Sequence, residues 1–199
     1  MWCRTRRCVA CSQRRATRAQ PRYTLVTHPP GGYAASVTSS LELEPHLTFL
    51  SQAIDEALAG VRGRHGGPFG ALIVRGGQVL GRGHNRVTSE LDPTAHGEVT
   101  AIRSACRGIG DFALRGALLY TSCEPCPLCL AAAYWARIER VYFAATRREA
   151  AAAGFDDERL HAALGPAGGA TALPLEHIAH PRSDEPFVAW QALAERVAY

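Results

Sequence analysis

The chain has 199 residues, 47% hydrophobic and 20% charged, which excludes two large lobes and wholesale disorder and leaves one globular domain with a tail, or at most two small domains. The net charge of +4 is uneven: residues 1–40 carry seven arginines and no acid, whereas residues 41–199 carry fifteen arginines against eighteen acids, a balance that speaks against a body built for polyanions. The longest apolar run, residues 128–136, has nine residues, about half of the roughly 18 that a membrane-spanning helix needs.

Residues 1–40 are rich in Arg, Ser and Thr and contain Pro29-Pro30-Gly31-Gly32. No apolar segment follows the arginines, so a secretory signal is not expected; the composition suits a disordered extension or translated sequence ahead of the true start, although a transit peptide would look similar. A single folded domain is expected over residues 41–199. Cys3, Cys8 and Cys11 lack a fourth ligand nearby and are read as incidental. An odd total of seven cysteines gives no disulfide framework, and thiols imply a reducing compartment, the cytoplasm.

From Pro45, Leu47, Leu50, Ile54, Leu58 and Val61 recur at helical spacing until Gly63 and Gly66-Gly67, which predicts an amphipathic first helix. Residues 71–74 and 78–80 flank Arg75-Gly76-Gly77 and predict a β-hairpin. After a polar loop, Thr94 is placed to cap a helix that carries Val99 and Ile102 and ends near Gly108, with His96 and Glu98 in its first turn. Residues 117–121 predict a buried strand, Pro125 and Pro127 open a helix over residues 126–137, and residues 140–145 predict another strand. An Ala-rich helix closed by Gly154, a turn around Leu160, a last strand within residues 171–178 and a last helix over residues 186–198 complete the chain. Strands alternate with helices, so helices should cover both faces of one mixed sheet of about five strands.

The chemistry lies in His96-Gly97-Glu98 and Pro125-Cys126-Pro127-Leu128-Cys129. One imidazole and two thiolates suit Zn²⁺, and three protein ligands leave a fourth tetrahedral position open, the mark of a catalytic rather than a structural zinc. Cys126 and Cys129 are three apart at a helix start, where both sulfurs share a side and the helix dipole favours thiolates. Glu98, two residues beyond His96, can approach without ligating and serve as proton acceptor and donor. A closed structural site with Cys123 as fourth ligand is the competing reading, and it leaves Glu98 unexplained.

An H-x-E followed by P-C-x-x-C is the signature of zinc nucleobase deaminases. At these residues the chain resembles the cytidine deaminase-like superfamily, and within it the bacterial-type guanine deaminases. The resemblance covers residues 46–199 and rests on the segments 66–71, 92–103 and 120–126, together with Tyr134-Trp135-Ala136-Arg137, Ala153-Gly154-Phe155-Asp156-Asp157 and the tail from Pro186-Phe187-Val188-Ala189-Trp190 to Tyr199. It implies an α/β fold, a three-layer α/β/α sandwich, and a zinc-dependent domain that converts guanine and water to xanthine and ammonia in purine catabolism or salvage. It also implies that Asn85 hydrogen-bonds the purine, Phe69 and Trp135 line the pocket, the Gly97 backbone touches the ring, Asp157 binds the amidine edge and relays a proton, and Tyr199 helps close the site. Residues 184–199 would be a lid or a segment exchanged within a homodimer, and neither nucleic acid nor membrane is an expected partner.

Gly97 departs from the pattern, because alanine is more usual between the His and the Glu; fungal-type cytosine deaminases share the glycine, which keeps cytosine open as a substrate. A tRNA adenosine deaminase shares the metal motif but needs a basic rim, and a non-catalytic zinc domain is the reading from another class. From the residues alone, Asn85 suits a turn, Trp135 suits a core helix face, and Asp156 or Asp157 suits a helix cap. Arg137, Arg140, Arg147 and Arg148 are interleaved with Glu139 and Glu149, as on a solvated face. Phe187, Trp190, Leu193 and Val197 recur at helical spacing and need an apolar surface to cover.

Overall fold

The computed structural model describes residues 40–155, 157–164 and 173–197. The Arg-rich extension, Asp156 and Tyr199 therefore lie outside the described residues.

The apolar stripe from Leu47 to Val61 forms α1 (Ser40–Arg62). It begins ahead of Pro45 because Leu43 already packs on the core that Leu50 and Ile54 enter. The hairpin follows as β1 (Gly70–Arg75) and β2 (Gln78–His84). Gly76 and Gly77 have φ of 56° and 78°, the two positive angles that a type I′ turn demands. The polar loop then holds a short helix, α2 (Val87–Glu90), which the sequence reading did not contain; it starts where Asn85 Oδ1 accepts the N–H of Val87 at 3.1 Å.

The helix α3 (Gly97–Ile109) is capped by His96, not by Thr94. Thr94 is otherwise engaged: its hydroxyl donates to Asp92 at 2.6 Å and accepts from Arg103 at 3.2 Å, so an Asx-type turn competes with the cap. Gly110, with φ 69°, closes the helix. Next come β3 (Leu118–Cys123), α4 (Pro127–Trp135) and β4 (Arg140–Ala145). Pro127 sits in the first turn of α4 and Cys126 takes the cap position, which corrects the expected helix over residues 126–137 at both ends. The Thr146–Glu149 capping box starts α5 (Arg147–Ala152), and α6 (Glu158–Leu164), β5 (Leu175–His177) and α7 (Glu185–Gln191) follow.

The last strand and last helix are shorter than expected. α7 stops at Gln191 because Arg196 donates to the carbonyls of Gln191 and Leu193 at 3.0 and 3.2 Å and lies over the Trp190 ring. The chain's own arginine thus satisfies the helix end that another turn would have covered.

One five-stranded sheet runs in the order β2-β1-β3-β4-β5. β1 is antiparallel to both neighbours, while β3, β4 and β5 are parallel. Alternation in β1 and β3 divides the core. Ala71, Ile73 and Leu119 pack with Ala101, Ile102 and Ala133 of α3 and α4, and Leu72, Val74 and Tyr120 pack with Leu50 and Ile54 of α1. With α7 against α1, this is the expected three-layer α/β/α sandwich with a mixed sheet. α3 rests almost directly on β2: a Cβ at Gly83 would stand 2.4 Å from the Ala101 nitrogen and 2.6 Å from the Gly97 oxygen. The hydrogen that stands where a side chain would be at Gly83 thus sets how closely the start of α3 lies on β2. No helix among the described residues is long and apolar enough to cross a membrane.

Candidate active site

Two helix N-termini meet at the C-terminal end of β3. His96 has extended backbone (φ −67°, ψ 158°) and so does Cys126 (φ −69°, ψ 166°), so each projects its side chain from a cap position into the space between α3 and α4. Cys129 follows one turn later. His96 Nδ1 lies 3.5 Å from both sulfurs, and the sulfurs lie 3.6 Å apart.

A zinc tetrahedron with Zn–S of about 2.3 Å and Zn–N of about 2.0 Å has ligand-to-ligand edges of roughly 3.5–3.8 Å. The triangle fits that face. Among the described residues these three are the group able to hold a metal ion, as the motif reading expected. Cys123 is not part of it: its thiol donates to the Thr146 carbonyl at 3.7 Å, and burial pushes it well above the usual thiol range.

The three donors are shifted in different directions, and only Cys126 toward its metal-binding form. Cys126 is pushed down to about 4, first by the hydrogen bond it shares with Cys129 and then by His96, and the α4 N-terminus adds to this. His96 is raised, chiefly by its bond to Cys126, whereas Cys129 is raised well above the thiol range, first by Cys126 and then by burial. Glu98, in the first turn of α3, is 5% exposed. Burial, and then the Cys126 sulfur, hold its carboxyl above the ordinary carboxylate range. Its Oε2 is 3.3 Å from Cys129 Sγ, and its Oε1 accepts from the Thr121 hydroxyl at 3.0 Å.

A cavity of about 160 Å³ opens beside these groups, walled by Phe69, Asn85, Phe155, Asp157 and the metal-ligand set. It falls below the several hundred Å³ of sites for drug-sized ligands, and suits a small planar ring rather than a nucleotide. Phe69 meets Phe155 edge-on at 4.8 Å and Phe187 of α7 at 6.0 Å. Asn85 is 1% exposed and its Oδ1 accepts from Gly67 and Val87, as the turn reading has it, while the residue also lines the cavity. Asp157 stands in the wall ahead of α6. Its Oδ1 is buried with no hydrogen-bond partner, and its Oδ2 lies 3.5 Å from His161 Nε2. Burial raises its carboxyl, against the pull of His161.

Two expected residues are absent from the cavity lining. Gly97 is buried at the start of α3, where a Cβ would stand 2.9 Å from the Phe69 oxygen, so it abuts the wall without lining the cavity. Trp135 is 68% exposed at the end of α4, with Arg137 over its ring, and on this single chain it neither lines the cavity nor enters the core. Tyr199 lies outside the described residues. The sequence reading passed over the parts played by Thr121, Glu124, Phe155 and His161. Glu124 lines the cavity, is 9% exposed and accepts from the Arg147 N–H at 3.1 Å; its place beside Pro125-Cys126 was the available signal.

Comparisons with known proteins converge on this region. A family model described as the cytidine and deoxycytidylate deaminase zinc-binding region matches residues 43–145. The chain is 45% identical over 154 residues to guanine deaminase of Bacillus subtilis, spanning 77% of this chain and 99% of that protein. It is also 45% identical to a tRNA-specific adenosine deaminase of Aquifex aeolicus, but over 78 residues, 39% of this chain and 52% of that one. The X-ray structure of the B. subtilis guanine deaminase superposes with a TM-score of 0.58 at 46% identity and covers 77% of this chain and 98% of that one.

Proposed function

The chain belongs to the cytidine and deoxycytidylate deaminase zinc-binding family, and from that premise we propose that it hydrolyses guanine to xanthine and ammonia. His96, Cys126 and Cys129 would hold the zinc, whose Lewis acidity makes water a competent nucleophile near neutral pH. Glu98 takes a proton from the attacking water as the new C2–O bond forms. It passes that proton to ring N3, then moves the second proton from the new C2–OH to the exocyclic nitrogen as the C2–N bond breaks and ammonia leaves, and ends ionised as it began.

The observation that carries the substrate assignment is the unpaired Asp157 Oδ1 in the cavity wall. An ionised carboxylate there accepts an N–H from the ligand. Guanine carries N1–H next to its reacting carbon, whereas adenine and cytosine place a lone pair at the corresponding ring nitrogen and would leave the carboxylate repelled. Asn85 donates through its amide, Phe69 and Phe155 together form an aromatic wall beside the ring, and the Gly97 backbone sets the approach of α3. Trp135 joins the site in a homodimer whose second copy, or whose exchanged residues 184–199 ending in Tyr199, cover its exposed face. Reduced Cys126 and Cys129 require a reducing compartment, and we place the enzyme in the cytoplasm.

Ammonia release from guanine, cytosine, adenine and a tRNA anticodon stem-loop tests the reading. A site that hydrogen-bonds its substrate rejects analogues lacking the group by about 10⁴-fold, so guanine is expected to lead in kcat/KM by at least about 10³. A lead for the stem-loop or for cytosine overturns the assignment.

A further inference from the structure

Thr121 is 0% exposed in β3, the strand flanked by β1 on one side and β4 on the other. It pairs across the sheet with Ala71 and Phe143. Alternation along β3 turns Leu119, Thr121 and Cys123 to the α3–α4 side, and each is accounted for there: Leu119 in the core, Cys123 at the cavity, and Thr121 against Glu98. A hydroxyl has one proton to give. The Glu98 Oε1 at 3.0 Å is nearer than the Gly70 carbonyl at 3.4 Å, and a carboxylate is the stronger acceptor.

We propose that Thr121 is the positioning residue for the proton-transferring carboxylate: its hydroxyl pins Oε1 of Glu98 and leaves Oε2 as the oxygen that carries the proton. The proposal rests on the role given to Glu98 above. A buried carboxylate can turn about its last bond and exchange its two oxygens. Here they have different surroundings, since Oε1 faces a hydroxyl of the central sheet while Oε2 faces Cys129 at 3.3 Å on the metal-ligand side. With the proton on Oε2, Oε1 is a carbonyl oxygen and still accepts from Thr121; with the proton gone, the same bond persists. One hydrogen bond therefore serves both states, and the proton moves on and off Oε2 without rearrangement of the wall. A threonine suits this role, because its branched β-carbon restricts χ1 and the central strand fixes its backbone.

Thr121→Val keeps the shape and the β-branching and removes the hydroxyl; Thr121→Ser keeps the hydroxyl. In the zinc-loaded full-length protein, T121V is expected to lower kcat on guanine by about 10–100-fold, with KM within about twofold and zinc content unchanged. T121S should retain kcat within about threefold. Crystal structures supply a readout independent of turnover: the Glu98 carboxylate should leave its present orientation in T121V and keep it in T121S. If T121V does not fold, Thr121→Ala serves in its place. Unchanged kcat in T121V, an unmoved carboxylate in its structure, or a T121S variant as slow as T121V each overturns the proposal. A wild-type protein that releases no ammonia from guanine counts against the function assigned above, while the carboxylate orientations still decide the role of Thr121.

Discussion

Glu98→Gln will keep the fold and one zinc per chain and lower guanine turnover by about 10²–10⁴-fold, the range that a positioned acid–base group contributes. The substitution is isosteric, and the Thr121 hydroxyl at 3.0 Å can still donate to an amide oxygen. What the amide cannot do is take the water's proton and hand it on. Glu98 is within the cavity wall and 5% exposed, so bulk water has no easy route to replace it. The other acids of the wall have partners of their own: Glu124 the Arg147 N–H, and Asp157 the His161 ring. Steady-state ammonia release with metal analysis on the same sample checks this. Turnover within tenfold of wild type would move the acid–base role to one of those two carboxylates.

Cys126→Ala will lose zinc and activity together, to below about a tenth of a metal ion per chain. Its sulfur is one corner of a triangle with 3.5–3.6 Å edges, and two remaining donors fall short of the three or four protein ligands that zinc sites use. The protein should also melt at a lower temperature, since a ligand that binds only the folded state stabilises it by mass action. Cys123→Ala is the control. The Cys123 thiol faces the Thr146 carbonyl, so that variant should keep full zinc. Zinc lost from C123A as well as from C126A would replace the ligand set with the closed one that Cys123 completes.

The parts of the site that were legible in the sequence are those set by local spacing. His96 and Glu98 lie two apart and Cys126 and Cys129 three apart, each pair at a helix start, and the geometry of a first turn carries both pairs to the metal-ligand side. The Gly76-Gly77 turn was legible for the same reason: two positive φ angles are a local demand. What needed the fold were contacts between distant segments. Thr121 meets Glu98 across 23 residues of sequence, and Asn85 spends its oxygen on Gly67, 18 residues away. Thr94 was misplaced as a cap because propensity cannot show that Asp92 has already engaged its hydroxyl. The core reading of Trp135 fails because an apolar helix face does not say which neighbour covers it. In α4, Cys129 and Ala133 take the buried face and leave Tyr134 and Trp135 outside.

The account stands most directly on a zinc titration of turnover. Protein stripped of metal with a chelator, reloaded in steps and assayed on guanine at each step, should release ammonia and xanthine in equal amounts, at a rate that rises in proportion to zinc and levels off at one ion per chain. Full turnover in the stripped protein, or no turnover on guanine at one zinc per chain, would contradict it.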